Sequence, residues 1–235
     1  MRLNQVNQGA APIVRRPQDA GNCKPVGRGT PLLIILIGIY AARRGRPSVN
    51  AQTPPKAQAV LDFWFSDATR RRWFNATPTF DETLRTRFLD TFEQAEAGGL
   101  RDWAETPDGA LALVIVLDQF PLNLFRNQAR SFGTEAAARS VAFAAIERGL
   151  DQQLKDSGKA FLYLPFMHSE DLADQDRSVA LFEAAGLREN LRFAHHHRNI
   201  VARFGRFPHR NAALGRTSTQ EEIDWLNSPG GYDPA

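Results

Sequence analysis

The stretch TPDGALALVIVLDQFP, residues 106–121, restricts the fold more than any other part of the chain. Thr106 is suited to cap a helix, and Pro107 to its first position, where a missing N–H has no partner to lose. From Leu111 to Leu117 the residues are apolar on every face, and Pro121 is expected to end the helix. A helix with no polar stripe is stable only when other elements surround it. Asp118 and Gln119 then enter a dry place at its end and need polar partners there. With 235 residues, 43% of them hydrophobic, the chain can supply that surround within one domain.

The partners are readable as helices. PPKAQAVLDFWF begins on prolines. FDETLRTRFLDTFEQAEAGG places Leu84, Phe88 and Phe92 on one face, has Asp81 and Glu82 in its first turn and stops at Gly98. TEAAARSVAFAAIERG has Thr134 as its expected cap, and SEDLADQDRSVALFEAAG has Ser169. RENLRFAHHHRNIVARFG puts Phe193, His197, Ile200, Val201 and Phe204 on one face. TSTQEEIDWLN spaces Thr219 and Glu222 as a capping box. Only FLYLPF is ambiguous with a strand, and Pro165 argues against a central one. Six to eight helices joined by short turns predict an all-α domain over residues 54–232. Some pairs have the length of a helical-hairpin repeat, without a consensus at fixed period.

Charge divides the chain. Residues 1–50 carry eight basic side chains and one acid, Asp19, giving +7, and the remainder has 21 basic and 25 acidic residues, giving −4. The basic character therefore belongs to a low-order tail, which removes most of the argument for a nucleic-acid partner. Within the tail, PLLIILIGIYAA (residues 31–42) is about half the length of a membrane span. Arg43, Arg44 and Arg46 stand where a signal peptide needs small residues. A disordered or mis-assigned start, an uncleaved anchor and a secretory signal are the readings of this tail, and the expected location is cytoplasmic, with anchoring through residues 31–42 as the alternative. The one cysteine, Cys23, lies in the tail, so the domain has no thiolate chemistry.

The strings VLDFWF, DQFPLNLFR, FLYLPFMHSEDLADQDRSVALF and RFGRFPHRNAALGRTSTQEE, spread in order over residues 57–232, resemble the bacterial domain-of-unknown-function family 924. The resemblance implies a helical fold similar to tetratricopeptide proteins, and no activity. It also implies an arginine after DQFP, where this chain has Leu122.

Four groups of residues carry candidate chemistry. Asp118 and Gln119 are followed by Arg126, whose planar fork suits a carboxylate or phosphate. His168, Glu170 and Asp171 offer an imidazole beside carboxylates, read as cap and helix-dipole partners or, alternatively, as metal ligands or an acid–base pair. Of His195, His196 and His197, only His197 falls on the apolar face, and three adjacent histidines do not share a metal. Residues 188–216 hold seven arginines and one acid, Glu189, which points to an anionic ligand or acidic partner. Within that segment Gly205 and Pro208 explain FGRFP by chain geometry, leaving Arg206, His209, Arg210 and Asn211 as candidate ligand contacts.

No Walker, Rossmann, GxSxG or zinc-ribbon pattern occurs, and neither a cofactor nor a resident metal is expected. The reading is a helical binding domain for a small anion or acidic peptide, with Asp118, Gln119, Arg126, His197, Arg206, His209, Arg210 and Asn211 as ligand contacts. The alternative is a hydrolase or transferase with a His, carboxylate and Arg site, with or without metal assistance, whose catalytic groups come from His168, Glu170, Asp171 and His209.

Overall fold

The structure, a computed structural model, describes residues 52–73 and 75–228, all helix, turn or loop, with no strand among them. The basic tail of residues 1–50, with Cys23 and the apolar run 31–42, lies outside the described residues. No described helix is long and apolar enough to cross a membrane.

In order, the helices are α1 (Pro55–Trp64), α2 (Asp67–Arg70), α3 (Pro78–Glu96), α4 (Pro107–Val114), α5 (Phe120–Leu124), α6 (Glu135–Glu147), α7 (Asp156–Met167), α8 (Leu172–Ala184), α9 (Arg188–Phe204) and α10 (Gln220–Leu226). Helix α4 is buried from Gly109 to Val114 and touches α1, α6 and α7, as its lack of a polar face requires. From α6 to α9 each helix packs on the next, α6 on α7, α7 on α8 and α8 on α9. The core is aromatic on the α1 side, where Trp64 is in ring contact with Trp73, Phe120 and Phe161.

Several local expectations are corrected. Pro121 does not stop the helix, because a π-helical turn, Ile115–Gln119, absorbs it and leads into α5. Pro165 lies inside α7, which settles FLYLPF as helix. Ser169 does not cap α8; Asp171 does, its carboxylate accepting from Ala173 N and Asp174 N. Thr134 makes no cap bond at α6, having another use for its hydroxyl. Phe193 is 56% exposed, so the apolar face of α9 is narrower than its pattern suggested. The Thr106 cap and the Thr219–Glu222 capping box are present.

Two separate hydrophobic clusters result. The large one runs from α1 through α8 and ends at Ala194 on α9. A small one joins Ile200 and Val201 on the last turns of α9 to Phe207, with Phe204 and Trp225 beside them. The C-terminal segment is therefore held by its own minor core and not by extension of the main one.

At the start of α4 the chain passes so close to itself that only glycine fits. A Cβ on Gly109 would stand 2.1 Å from Trp103 O and 2.7 Å from Thr106 Oγ1. The neighbour is backbone and cannot swing aside. Gly109→Ala is expected to lower the unfolding free energy by about 1–3 kcal/mol, read as a drop in the urea midpoint at unchanged slope.

Candidate functional site

The site begins with Pro121. A proline there has no N–H to give to Leu117 O, the carbonyl four residues earlier, and its ring would clash with that group. The chain widens by one residue instead, so that Phe120 N bonds to Ile115 O, and the orphaned Leu117 carbonyl accepts from Thr134 Oγ1 at 2.5 Å. Such π-turns often mark functional positions. Here the turn holds Asp118 inside the protein, with Gln119 Nε2 donating to Asp118 Oδ2 at 2.6 Å.

The end of α7 meets it. His168 closes that helix, and its Nδ1 lies 3.0 Å from Asp118 Oδ1; the carboxylate is 0% exposed and the histidine side chain 17%. Burial disfavours the imidazolium, but the adjoining Asp118 carboxylate outweighs it and raises the His168 pKa above its ordinary value. Nδ1–H is therefore donated to Asp118, and Nε2 is the nitrogen left for other partners.

The third contribution comes from the loop after α9. Gly205 takes the left-handed conformation (φ 68°) that ends the helix, Phe207 is extended, and a 3-10 turn, Pro208–Arg210, brings the chain back. Phe207 is wholly buried, with His197 and His209 each 5.6 Å from its ring centre. Arg210 lies 4.6 Å over both Phe132 and Phe207 and reaches Glu135 with two nitrogens at 3.0 Å, the pair being 7% and 11% exposed. Burial pushes the Glu135 pKa up, against the pull of Arg210. Burial pushes His197 down to about 4, where the charges of His168 and Arg210 add to the effect. Burial and then Arg210 push His209 down to about 3. One imidazole is thus drawn toward its charged form beside two pushed toward the neutral one. His197 Nδ1–H donates to Phe193 O at 2.8 Å, which leaves its Nε2 as an acceptor.

Around this cluster stands a second layer. Glu170 accepts from Arg216 at 2.6 and 2.9 Å and from Phe207 N at 2.7 Å. Although partial burial opposes ionisation, Arg216 and the Phe207 N–H lower the Glu170 pKa. Arg206 donates to both oxygens of Glu222 and to Thr217 O, and its bond to Glu222 is the main cause of that carboxyl's fall to about 2. Asn211 is buried among Ser218, Glu222 and Arg216.

Of the residues expected from sequence, Asp118, Gln119, His168, His197, His209 and Arg210 converge. Glu170, Arg206 and Asn211 stand in the bracing layer, and Asp171 is an exposed cap. Arg126 is elsewhere, bound to Asp81 at 3.0 Å beside a surface groove that also involves Arg85 and Asn123. It pairs with an acid and not with the Asp118 site, because α5 turns it outward. Glu135 and Arg216 were missed as site residues, since an acid in a first helical turn reads as a dipole partner. The available signal was the arginine excess itself. Six of the seven arginines between residues 188 and 216 have carboxylate partners, and five of those partners lie outside that segment. Among the described residues no three His, Cys, Asp or Glu side chains are grouped to hold a metal ion.

Fold and site together define an all-helical protein with a buried acid–base cluster where three distant segments meet. The chain belongs to the family described as Bacterial protein of unknown function (DUF924), whose model matches residues 60–230. It is also similar to the solved structure of a protein of unknown function, ATU0120 from Agrobacterium tumefaciens, with 42% identity and a TM-score of 0.70 over 75% of this chain and 99% of that one. No curated protein matches it.

The charge states lead to a pH test. The raised His168 pKa gives stability that is present below about 6.5 and is lost as pH rises through the folded value; the lowered pKa values of His197 and His209 give stability present above about 6.5 and lost as pH falls toward their folded values. An NMR titration of the imidazoles is expected to place His168 above the other two, with Asp118→Asn bringing it down and leaving His209 last to protonate.

Proposed function

We propose that the cluster binds a small anionic molecule and acts on it by acid–base chemistry of hydrolase or transferase type, with His168 as the proton carrier. The observation that carries this reading is the Asp118–His168 pair, in which the carboxylate is wholly enclosed and the imidazole keeps an exposed edge. Asp118 fixes the ring through Nδ1, so an imidazolium proton on Nε2 is available to a departing oxygen or nitrogen. The neutral ring that remains can take a proton from an attacking water. Groups whose surroundings drive their pKa values apart are the usual basis of an acid and base assignment, and His168 differs from His197 and His209 in that way.

The anionic character of the ligand is supported by Arg210. Its Nε is buried and has no hydrogen-bond partner among the described residues, while its terminal nitrogens hold Glu135. A ligand oxygen at Nε would complete the donor set. In the same reading, the series α6 to α9, each packed on the next, is the tetratricopeptide-like part of the fold.

The test is a comparison of wild type, His168→Gln and Asp118→Asn on a panel of phosphate esters, carboxylic esters and amides. His168→Gln is expected to lower kcat/KM by about 10²–10⁴-fold with an unchanged far-UV circular dichroism spectrum. Turnover that survives His168→Gln undiminished would remove His168 from the reaction.

A further inference from the structure

His168 stands in the short link between α7 and α8, and the carbonyls before and after it, Met167 O and Ser169 O, accept from the same side chain. Gln175, in the first turn of α8 and wholly buried, donates from Nε2 to Met167 O at 2.7 Å and to Ser169 O at 2.6 Å. These two bonds decide which way the amide faces, since a flipped group would set its oxygen against two carbonyl oxygens. Its own oxygen, Oε1, is enclosed and has no hydrogen-bond partner among the described residues. A buried acceptor left open costs stability, so the two donor bonds are what this glutamine contributes.

The link is tied at other points as well. His168 N donates to Leu164 O at 2.9 Å, and Gln175 N donates to Asp171 O at 3.1 Å. Ser169 Oγ donates to Asp174 Oδ2 at 2.6 Å, and Arg139 of α6 holds that same oxygen at 3.0 Å. The place of the His168 ring follows from the backbone beneath it. Its 3.0 Å contact with Asp118 Oδ1 is a directional, charge-assisted bond, which weakens when donor and acceptor are misaligned.

We propose that Gln175 is a positioning residue for His168: by binding the carbonyls on both sides of that residue, its amide sets the backbone from which the imidazole reaches Asp118. The inference rests on the acid–base reading for its purpose but not for its test. Met167 O is also one of the last carbonyls of α7, which need partners in any helix, so the competing account is a helix-end cap with no bearing on the ring. The two accounts differ in what the imidazole does when the amide is lost.

An NMR titration of the imidazoles in the full chain separates them. Asp118, Glu135, Arg210, His197 and His209 all lie within electrostatic reach of His168, and Asp118 is in direct contact with it. In Gln175→Met, which keeps the length of the side chain and removes both donors, the His168 midpoint is expected to fall by about 1 pH unit as the Asp118 bond loosens. The midpoints of His197 and His209 are expected to stay where they are. Gln175→Asn, which keeps the amide but draws it back by one methylene, should give a smaller fall, and it carries the test if Gln175→Met does not fold. Phe182→Leu, a buried change on the same helix, should lower the melting temperature and leave His168 unmoved. A His168 midpoint unchanged in the Gln175 variants would overturn the proposal in favour of the cap, and so would an equal fall in Phe182→Leu. Because the titration needs no substrate, the proposal can fail while His168 remains essential for a reaction, or hold while His168→Gln leaves any reaction untouched.

Discussion

A carboxylate with none of its surface in water must have a countercharge, and Asp118 is such a carboxylate. Much of the C-terminal half can be followed from that requirement. Pro121 denies Leu117 O its ordinary partner, the helix widens into a π-turn, and Asp118 is held inside. His168 at the end of α7 answers the charge, and His168 in turn lies within electrostatic reach of Glu135 and Arg210. Each buried ion brings the next, until the set closes on Phe132 and Phe207, whose ring faces cover the Arg210 guanidinium.

Acids and bases are balanced inside the cluster. Asp118 and Glu135 face His168 and Arg210, while His197 and His209 are kept neutral by burial and by the positive charges beside them. Buried ion pairs gain little stability over apolar packing and cost much when one partner is lost. Their concentration at a place that also contains a π-turn and an incompletely bonded guanidinium is poorly explained by stability alone. The main core, from Trp64 through Phe182, holds α1 to α8 together without help from these charges.

The arginine-rich segment shows how local charge misleads. Seven arginines against one acid looked like a surface waiting for an anion. The acids that neutralise five of them lie on other elements: Asp176 on α8, Glu221 and Glu222 on α10, Glu135 on α6 and Glu170 before α8. The proposed anionic ligand therefore has its support in one unsatisfied nitrogen of Arg210, and not in a general basic face. Arg126 was misplaced for a related reason. It follows Asp118 closely in sequence, yet α5 directs it to Asp81 on α3.

The sequence by itself determined the helices, because caps such as Thr106 and the Thr219–Glu222 box, glycine ends and apolar spacing are local and act within one turn. It also marked α4 as the helix to be surrounded, and it singled out Asp118, His168, His209 and Arg210 by type. Only the tertiary structure decided that these four meet, that Glu135 and Arg216 join them, and that Thr134 serves Leu117 instead of its own helix. The reason is physical. A capping bond is fixed by neighbours in the chain, whereas a buried charge is satisfied by whichever opposite charge packing brings within about 3–4 Å, and that depends on how helices far apart in sequence are stacked.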